Sequence, residues 1–562
     1  MRHVSISTGL AFLFILAACS RGEERQDERI GLAAADMGIT TRVLDASGSP
    51  LGAVQLLGSC ADDAAVHLGR GLALLHSMTY EESEEAFASA TKADPECAMG
   101  YWGQAMTIVH PLWSEPPSEA RFERGLTLLE QARARAQTER EMAYVEAMVG
   151  YFQAGRGESE RPNLLEYESG WRAFHEKYPQ DPEGTAFYAL AQLSTVDPGD
   201  KTFAKQRAAG AMAEQVLAQI PDHPGGHHYV IHSYDNPVLS ELAVEVARSY
   251  GKIAPEVPHA LHMPTHTFTR LGLWQESIDW NRRSADAALK HPVGEEISLH
   301  YFHALDYLAY AYLQRAEDGR AIEVLVELEG IKPPYQAHLA SAYAFAAVPA
   351  RLALERHMWA AAADLEPGWP AAYPWETAPA MQAITYFARA LGAARSGRLE
   401  QARGDLERLG SIKEQVAAQS GYWGTQVEIQ RLSALAWLQL AEGPADQALA
   451  TMRAAAELEA STEKHPVTPG EVLPARELTA DMLLELRRPE AALVEYQAAL
   501  ERSPRRFNSL FGAGRAAELS GDAEVATDYY EALLDVTAKA DTERKRLRHA
   551  QAYLMEKGAA GA

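Results

Sequence analysis

Cysteine is scarce in this chain: three in 562 residues, at positions 19, 60 and 97. Basic residues are short as well, with 52 Lys and Arg against 77 Asp and Glu, a formal net charge of −25. That balance repels phosphate backbones, which excludes nucleic acid as a partner and suits cations, basic peptides or metal ions. Beyond residue 18 no apolar run is long enough to cross a bilayer. The chain has no nucleophile elbow, no phosphate loop, no cofactor fingerprint and no H-E-x-x-H zinc-protease motif. No reaction class can therefore be named from a motif. What is present is a 47% hydrophobic composition, enough for a large core, and a set of histidines at a regular interval.

The N-terminus reads as an address. Met1-Arg2-His3 is a short positive start, and residues 4–18 are an apolar run of signal-peptide length. The run ends Leu16-Ala17-Ala18-Cys19, which resembles a bacterial lipobox. The resemblance implies that residues 1–18 are a lipoprotein signal peptide, that cleavage precedes Cys19, and that Cys19 carries the lipid that anchors the protein to a membrane. Ser20 in place of Asp implies outer-membrane sorting within the cell envelope, facing periplasm or surface. Residues 19–59 are then the lipidated Cys and a flexible, charged tether, of which 38–59 read as extended, a small hairpin. The remaining Cys60 and Cys97 are a possible disulfide in that oxidising compartment.

His228 and His232 recur as His262 and His266, and Pro221 and Pro224 recur as Pro255 and Pro258, all 34 residues apart. A 34-residue period marks a helix–turn–helix unit that buries its apolar face only by stacking on its neighbours. Gly514 and Gly521, Ala492, the run Phe87-Ala88-Ser89-Ala90, Asp94-Pro95 and Leu271-Gly272-Leu273-Trp274 fit the small-residue, aromatic and proline positions of such units. On these residues the chain resembles the tetratricopeptide-repeat (TPR) family over most of residues 60–537. The predicted fold is an all-α superhelix with N-terminal repeats over 60–220, His-rich repeats over 221–335 and C-terminal repeats over 336–562. The pattern is degenerate over 115–220 and 330–380.

In that family the first helix of each unit lines a concave groove, and positions stepping by 3 and 4 share its inner face. One such stripe holds His259, His262, His266, Thr269 and Arg270. The preceding stripe holds Gly225, His228, His232, Asp235 and Asn236, and the next holds His303, Asp306 and Tyr310. His76 and His110 are also 34 apart, with Trp102 on the same stripe as His110.

Imidazoles at i, i+4 on adjacent helices suit Zn, Cu or Fe. His228, His232, His262, His266, His303 and Asp306 are the expected ligands of one divalent ion, with Asp235 as a further ligand or tautomer-fixing partner. Pro264 lies between His262 and His266 and must sit in a first turn or at a kink. Such an ion could also activate water, with Asp235, Asp306 or Glu296 as base. His259, Arg270, Asp235, Trp102, His76 and His110 are expected to line a ligand groove. The alternative reading is a non-catalytic scaffold that binds a protein or peptide there; a third is that the histidines are structural. The stretches around His110-Pro111-Leu112-Trp113, His227–Asp235, Pro258–His266, His303–Tyr307 and Lys464–Gly470 resemble a widespread group of bacterial His-rich TPR proteins. That resemblance implies an interaction scaffold and no particular reaction.

Overall fold

The computed structural model describes residues 39–561 apart from 57, 114–115, 158 and 444. Cys19 and its apolar run lie outside the described residues. Among those described, no helix is long and apolar enough to cross a membrane.

The chain is a TPR-type, all-α solenoid, preceded by one antiparallel hairpin of Thr40–Leu44 and Pro50–Gln55. Each helix packs on the next in sequence, and the first helices of successive units also touch, as stacked helix pairs require. Pro224 and Pro258 stand at the first helical position of their units, where a missing N–H costs nothing and φ is already helical. The degenerate stretches are helical too, including Glu119–Arg135, Glu139–Gln153, Arg161–Lys177, Pro182–Ser194 and Leu339–Leu354.

The array coils back on itself. Helix Asp62–His76 meets helix Pro224–Ser233, and helix Leu299–Gln314 meets helix Phe507–Ser520. Two large apolar cores result, one running from the hairpin to Phe268 and taking in Ala340 and Val467, the other from Trp274 to Ala550, beside a small third cluster of Ala189, Leu193 and Ala209. The irregular segment between helices Ala445–Ala460 and Ala475–Glu485 crosses the inner face where the cores meet. Tyr307 donates to the Thr468 carbonyl, Arg351 to the Gly470 carbonyl, and Lys464 to Asp235.

Residues 40–55 are not tether. Leu51 and Val54 are buried, Ala53 N–H donates to the Asp222 carbonyl, and Gln55 N–H donates to the Glu183 carboxylate. Residues 51–55 are all buried, so the second strand of the hairpin is covered on both faces. Cys60 and Cys97, each just ahead of the first helix of its unit, are joined in a disulfide. The bridge spans 37 residues, and loop-closure entropy over that length is worth about 3–4 kcal/mol. Cys97→Ser is therefore expected to destabilise the first two units by roughly 3 kcal/mol. Denaturant unfolding followed through fluorescence of the Trp102 neighbourhood checks it.

Candidate metal centre

At the junction of the two cores seven imidazoles form one connected cluster. Ring centroids lie 4.8 Å apart for His228–His232, 5.0 Å for His228–His259, 5.6 Å for His232–His266 and 6.0 Å for His259–His262. His262 lies 4.9 Å from His266 and 4.0 Å from His303, and His300 lies 5.0 Å from His259. Trp113 covers the cluster, with its ring 5.5 Å from His259 and 6.2 Å from His303. Within it two triads, His262–His266–His303 and His228–His232–His259, each bring three ring nitrogens within 4.8 Å of one another.

The backbone sets up the first triad in an unusual way. Pro264 cannot continue a helix from the preceding turn, so the chain makes two short helices, Pro258–His262 and Pro264–Arg270. His262 ends one and His266 opens the other, yet their Nε2 atoms are 3.0 Å apart. The other ring nitrogen of each is already committed. His266 Nδ1–H donates to the Asp235 carboxylate at 2.9 Å. The Asn281 amide nitrogen donates to the Ser277 carbonyl, which leaves its oxygen to accept His262 Nδ1–H at 2.8 Å. With both protons on Nδ1, two Nε2 lone pairs face each other at 3.0 Å, a repulsive arrangement without a cation between them. A proton is a poor candidate, because burial pushes His262 and His266 below the usual imidazole value. Metal–nitrogen bonds of about 2.05 Å at the tetrahedral angle would put two such atoms about 3.3 Å apart, so an ion needs the pair to open by only a few tenths of an ångström.

Asp235 organises the outer side. It accepts His266 Nδ1–H, Lys464 Nζ at 2.7 Å and Arg270 Nε at 2.8 Å. Burial alone would raise its carboxyl, but the Lys464 and Arg270 charges hold it well below the carboxylate range. Lys464 is itself brought down to about 8 by burial. A carboxylate behind a histidine fixes the tautomer and raises ligand basicity, the arrangement found behind metal-bound imidazoles.

The second triad has bare nitrogens. His228 Nδ1–H donates to the His76 carbonyl at 2.6 Å, which leaves Nε2 as the lone-pair atom. That Nε2, His232 Nε2 and both nitrogens of His259 are buried without a hydrogen-bond partner. Each orphaned buried polar atom costs about 1–3 kcal/mol unless something binds it.

Some expected site residues lie elsewhere. Asp306 is not in either triad: its carboxylate is ion-paired with the buried Arg351. Trp102 packs on Tyr144, Trp171 and Phe187 in the N-terminal core and donates Nε1–H to the Tyr144 carbonyl. His110 stacks on Tyr80, with ring centroids 4.0 Å apart. His76 belongs to a separate group, in which Glu183 accepts from His76 Nε2 at 2.7 Å and His223 Nε2 at 3.0 Å. Every ring nitrogen there is satisfied, since Tyr229 meets His76 Nδ1 and Gly226 N–H donates to His223 Nδ1. Gly225 is needed beside it, because a Cβ there would lie 2.4 Å from the His76 ring. The ligand-lining stripe is also not an open groove. His259, His262, His266, Trp102 and His76 are at most 2% exposed, because the coiled array and the 462–474 segment fill the inner face.

Sequence reasoning did not single out Asn281, Glu183, His223 or the covering role of Trp113. Glu183 sits in a stretch with no readable register. Its one signal was Asp181-Pro182-Glu183, in which Asp181 caps a helix that Pro182 opens.

Solvent reaches the cluster from two sides. An open cavity of about 240 Å³ touches His232, Asp235 and Lys464, and another of about 180 Å³ touches Trp113, His300 and His338.

The metal-free cluster has a pH signature. Burial pushes His228 and His300 down to about 3, far below the ordinary value near 6.5. Between those values the unfolded chain binds protons that the folded chain does not. Stability is thus fully present above about pH 6.5 and falls as pH drops toward 3, by about 1.4 kcal/mol per pH unit for each such histidine. Urea midpoints of chelator-treated protein should fall clearly from pH 7 to pH 5; a flat profile would contradict the neutral, buried state.

No protein-family model matches the chain, and no curated protein matches its sequence. Among solved structures it is similar to the APC/C hetero-tetramer Cut9–Hcn1, at 12% identity over 88% of this chain and 77% of that one, with a TM-score of 0.34. It is similar to human IFIT1, solved as a dimer with PPP-AAAA, at 12% identity over 86% and 96%, with a TM-score of 0.38. It is also similar to the TPR domain of P58(IPK), at 13% identity over 88% and 99%, with a TM-score of 0.20.

Proposed function

We propose that this is a metal-binding helical-repeat protein that holds a transition-metal ion, Zn, Cu or Fe, on His262, His266 and His303. The observation that carries the reading is the pair of Nε2 atoms 3.0 Å apart with both Nδ1 protons committed to Asp235 and Asn281. Three neutral imidazoles leave a coordination position open for water or a small ligand. The protein is further proposed to be an envelope lipoprotein anchored through Cys19. The Leu16-Ala17-Ala18-Cys19 sequence supports this, and the Cys60–Cys97 bridge suits an oxidising compartment. The scaffold reading finds less support at this site, because the chain's own Lys464–Gly470 segment takes the place a peptide would occupy.

Asp235→Asn tests the reading without removing a ligand. The amide keeps its volume but loses the charge behind His266, and zinc affinity is expected to fall by about 10–100-fold. Calorimetric zinc titration of wild type and variant reads it directly. Equal affinities would overturn the role of Asp235, and no zinc binding by either protein would overturn the site.

A further inference from the structure

The seven-imidazole cluster is larger than one ion needs, and the surplus is itself organised. We infer that the site is dinuclear: His228, His232 and His259 hold a second ion beside the first, and the two ions share a bridging hydroxide derived from water. This rests on the metal reading of the first triad.

Among the described residues, the second triad gathers four buried ring nitrogens without a hydrogen-bond partner. His228 presents Nε2 as a lone pair because Nδ1–H is fixed on the His76 carbonyl. His232 Nε2 and both His259 nitrogens are buried and unpartnered, and all three residues converge within 4.8 Å. Leaving several such groups without a partner is costly, and a bound ion removes the cost at one stroke. The two triads are in direct ring contact through His232–His266 and His259–His262.

Between them lies a small void of about 10 Å³, lined by His232 and His259 from one triad and His266 and His303 from the other. The remaining lining is apolar or aromatic, from Met78, Leu112, Trp113, Pro466 and Val467. That volume is about one water-sized sphere, so a hydroxide fits and an organic substrate does not. Charge argues the same way. Two cations among six neutral imidazoles repel each other strongly in a poorly screened interior. The one carboxylate behind the triads, Asp235, is already balanced by Arg270 and Lys464. An anionic oxygen bridge offsets the repulsion where no protein carboxylate does.

Copper(II) is the probe. Full-length mature protein is stripped with chelator, loaded with excess Cu(II), desalted, and measured for copper content and electron paramagnetic resonance spin count. The expected result is two copper ions per chain with a spin count far below two, because a shared oxygen bridge couples the ions. His259→Ala should then hold one copper with a full spin. One copper per wild-type chain, or two with full spin, overturns the pair even if the variant does not fold. If wild type binds one ion that is lost in His266→Ala but kept in His259→Ala, the single site stands and the pair falls. If wild type binds none, both fall.

Discussion

Replacing His262 and His266 together with alanine is expected to abolish metal binding at the His262–His266–His303 triad, leaving at most the ion held by His228, His232 and His259. The two variants remove the facing Nε2 atoms and leave His303 alone on its helix. Loss of a partner behind a ligand already costs about 10–100-fold, so loss of two ligands should cost that triad more than about 100-fold and remove its ion from a zinc or copper titration. His291→Ala is the control. His291 sits outside the cluster, partly exposed and paired with Glu82, and its loss should leave affinity unchanged. The double variant in metal-free form should not lose the fold. It removes a lone-pair repulsion along with some packing, so its helical content should match that of wild type.

The second large effect concerns stability. Arg506 is fully buried and forks onto two carboxylates: Glu355 at 2.9 and 3.1 Å and Glu477 at 3.0 and 3.1 Å. It also donates to the Tyr310 hydroxyl at 2.8 Å, which ties the C-terminal units to the helix that carries His303. Arg506→Met leaves two buried carboxylates facing each other without a cation. Breaking a buried ion pair from one side costs about 3–5 kcal/mol, and this one has two acids to strand. Thermal unfolding should drop accordingly, and amide exchange should rise in helices Ala475–Glu485 and Phe507–Ser520 before the N-terminal units. Arg506→Lys should be intermediate, since a point charge cannot bridge both acids as a planar guanidinium does. A variant as stable as wild type would show that the pair contributes little and that apolar packing alone closes the array.

The sequence carried the architecture through its period. A 34-residue step fixes which residues of neighbouring units lie side by side, and it brought His228 and His232 next to His262 and His266 without further information. The kink at Pro264 was legible for the same local reason. The division into two triads was not. It depends on where each ring points, and that is set by residues far along the chain: His76 for His228, Asn281 for His262, and Asp235 for His266. Nor could periodicity say what fills the inner face. Lys464 reaches Asp235 from 229 residues away because the array coils back, and that burial turns a presumed groove into an interior. Asp306 shows the limit of register reasoning. It holds the expected helical position, but a buried arginine from the next unit claims its carboxylate. His76 and His110 make the same point: equal spacing put one on Glu183 and the other on Tyr80.

The most direct test is elemental analysis of the mature protein, produced without a histidine tag and purified without chelators. The account predicts Zn, Cu or Fe at stoichiometric level, with the ion of the His262–His266–His303 triad lost in His266→Ala, and thermal stability that falls on chelation and returns on adding the metal back. A metal-free protein whose unfolding ignores both chelator and added Zn, Cu or Fe would contradict it.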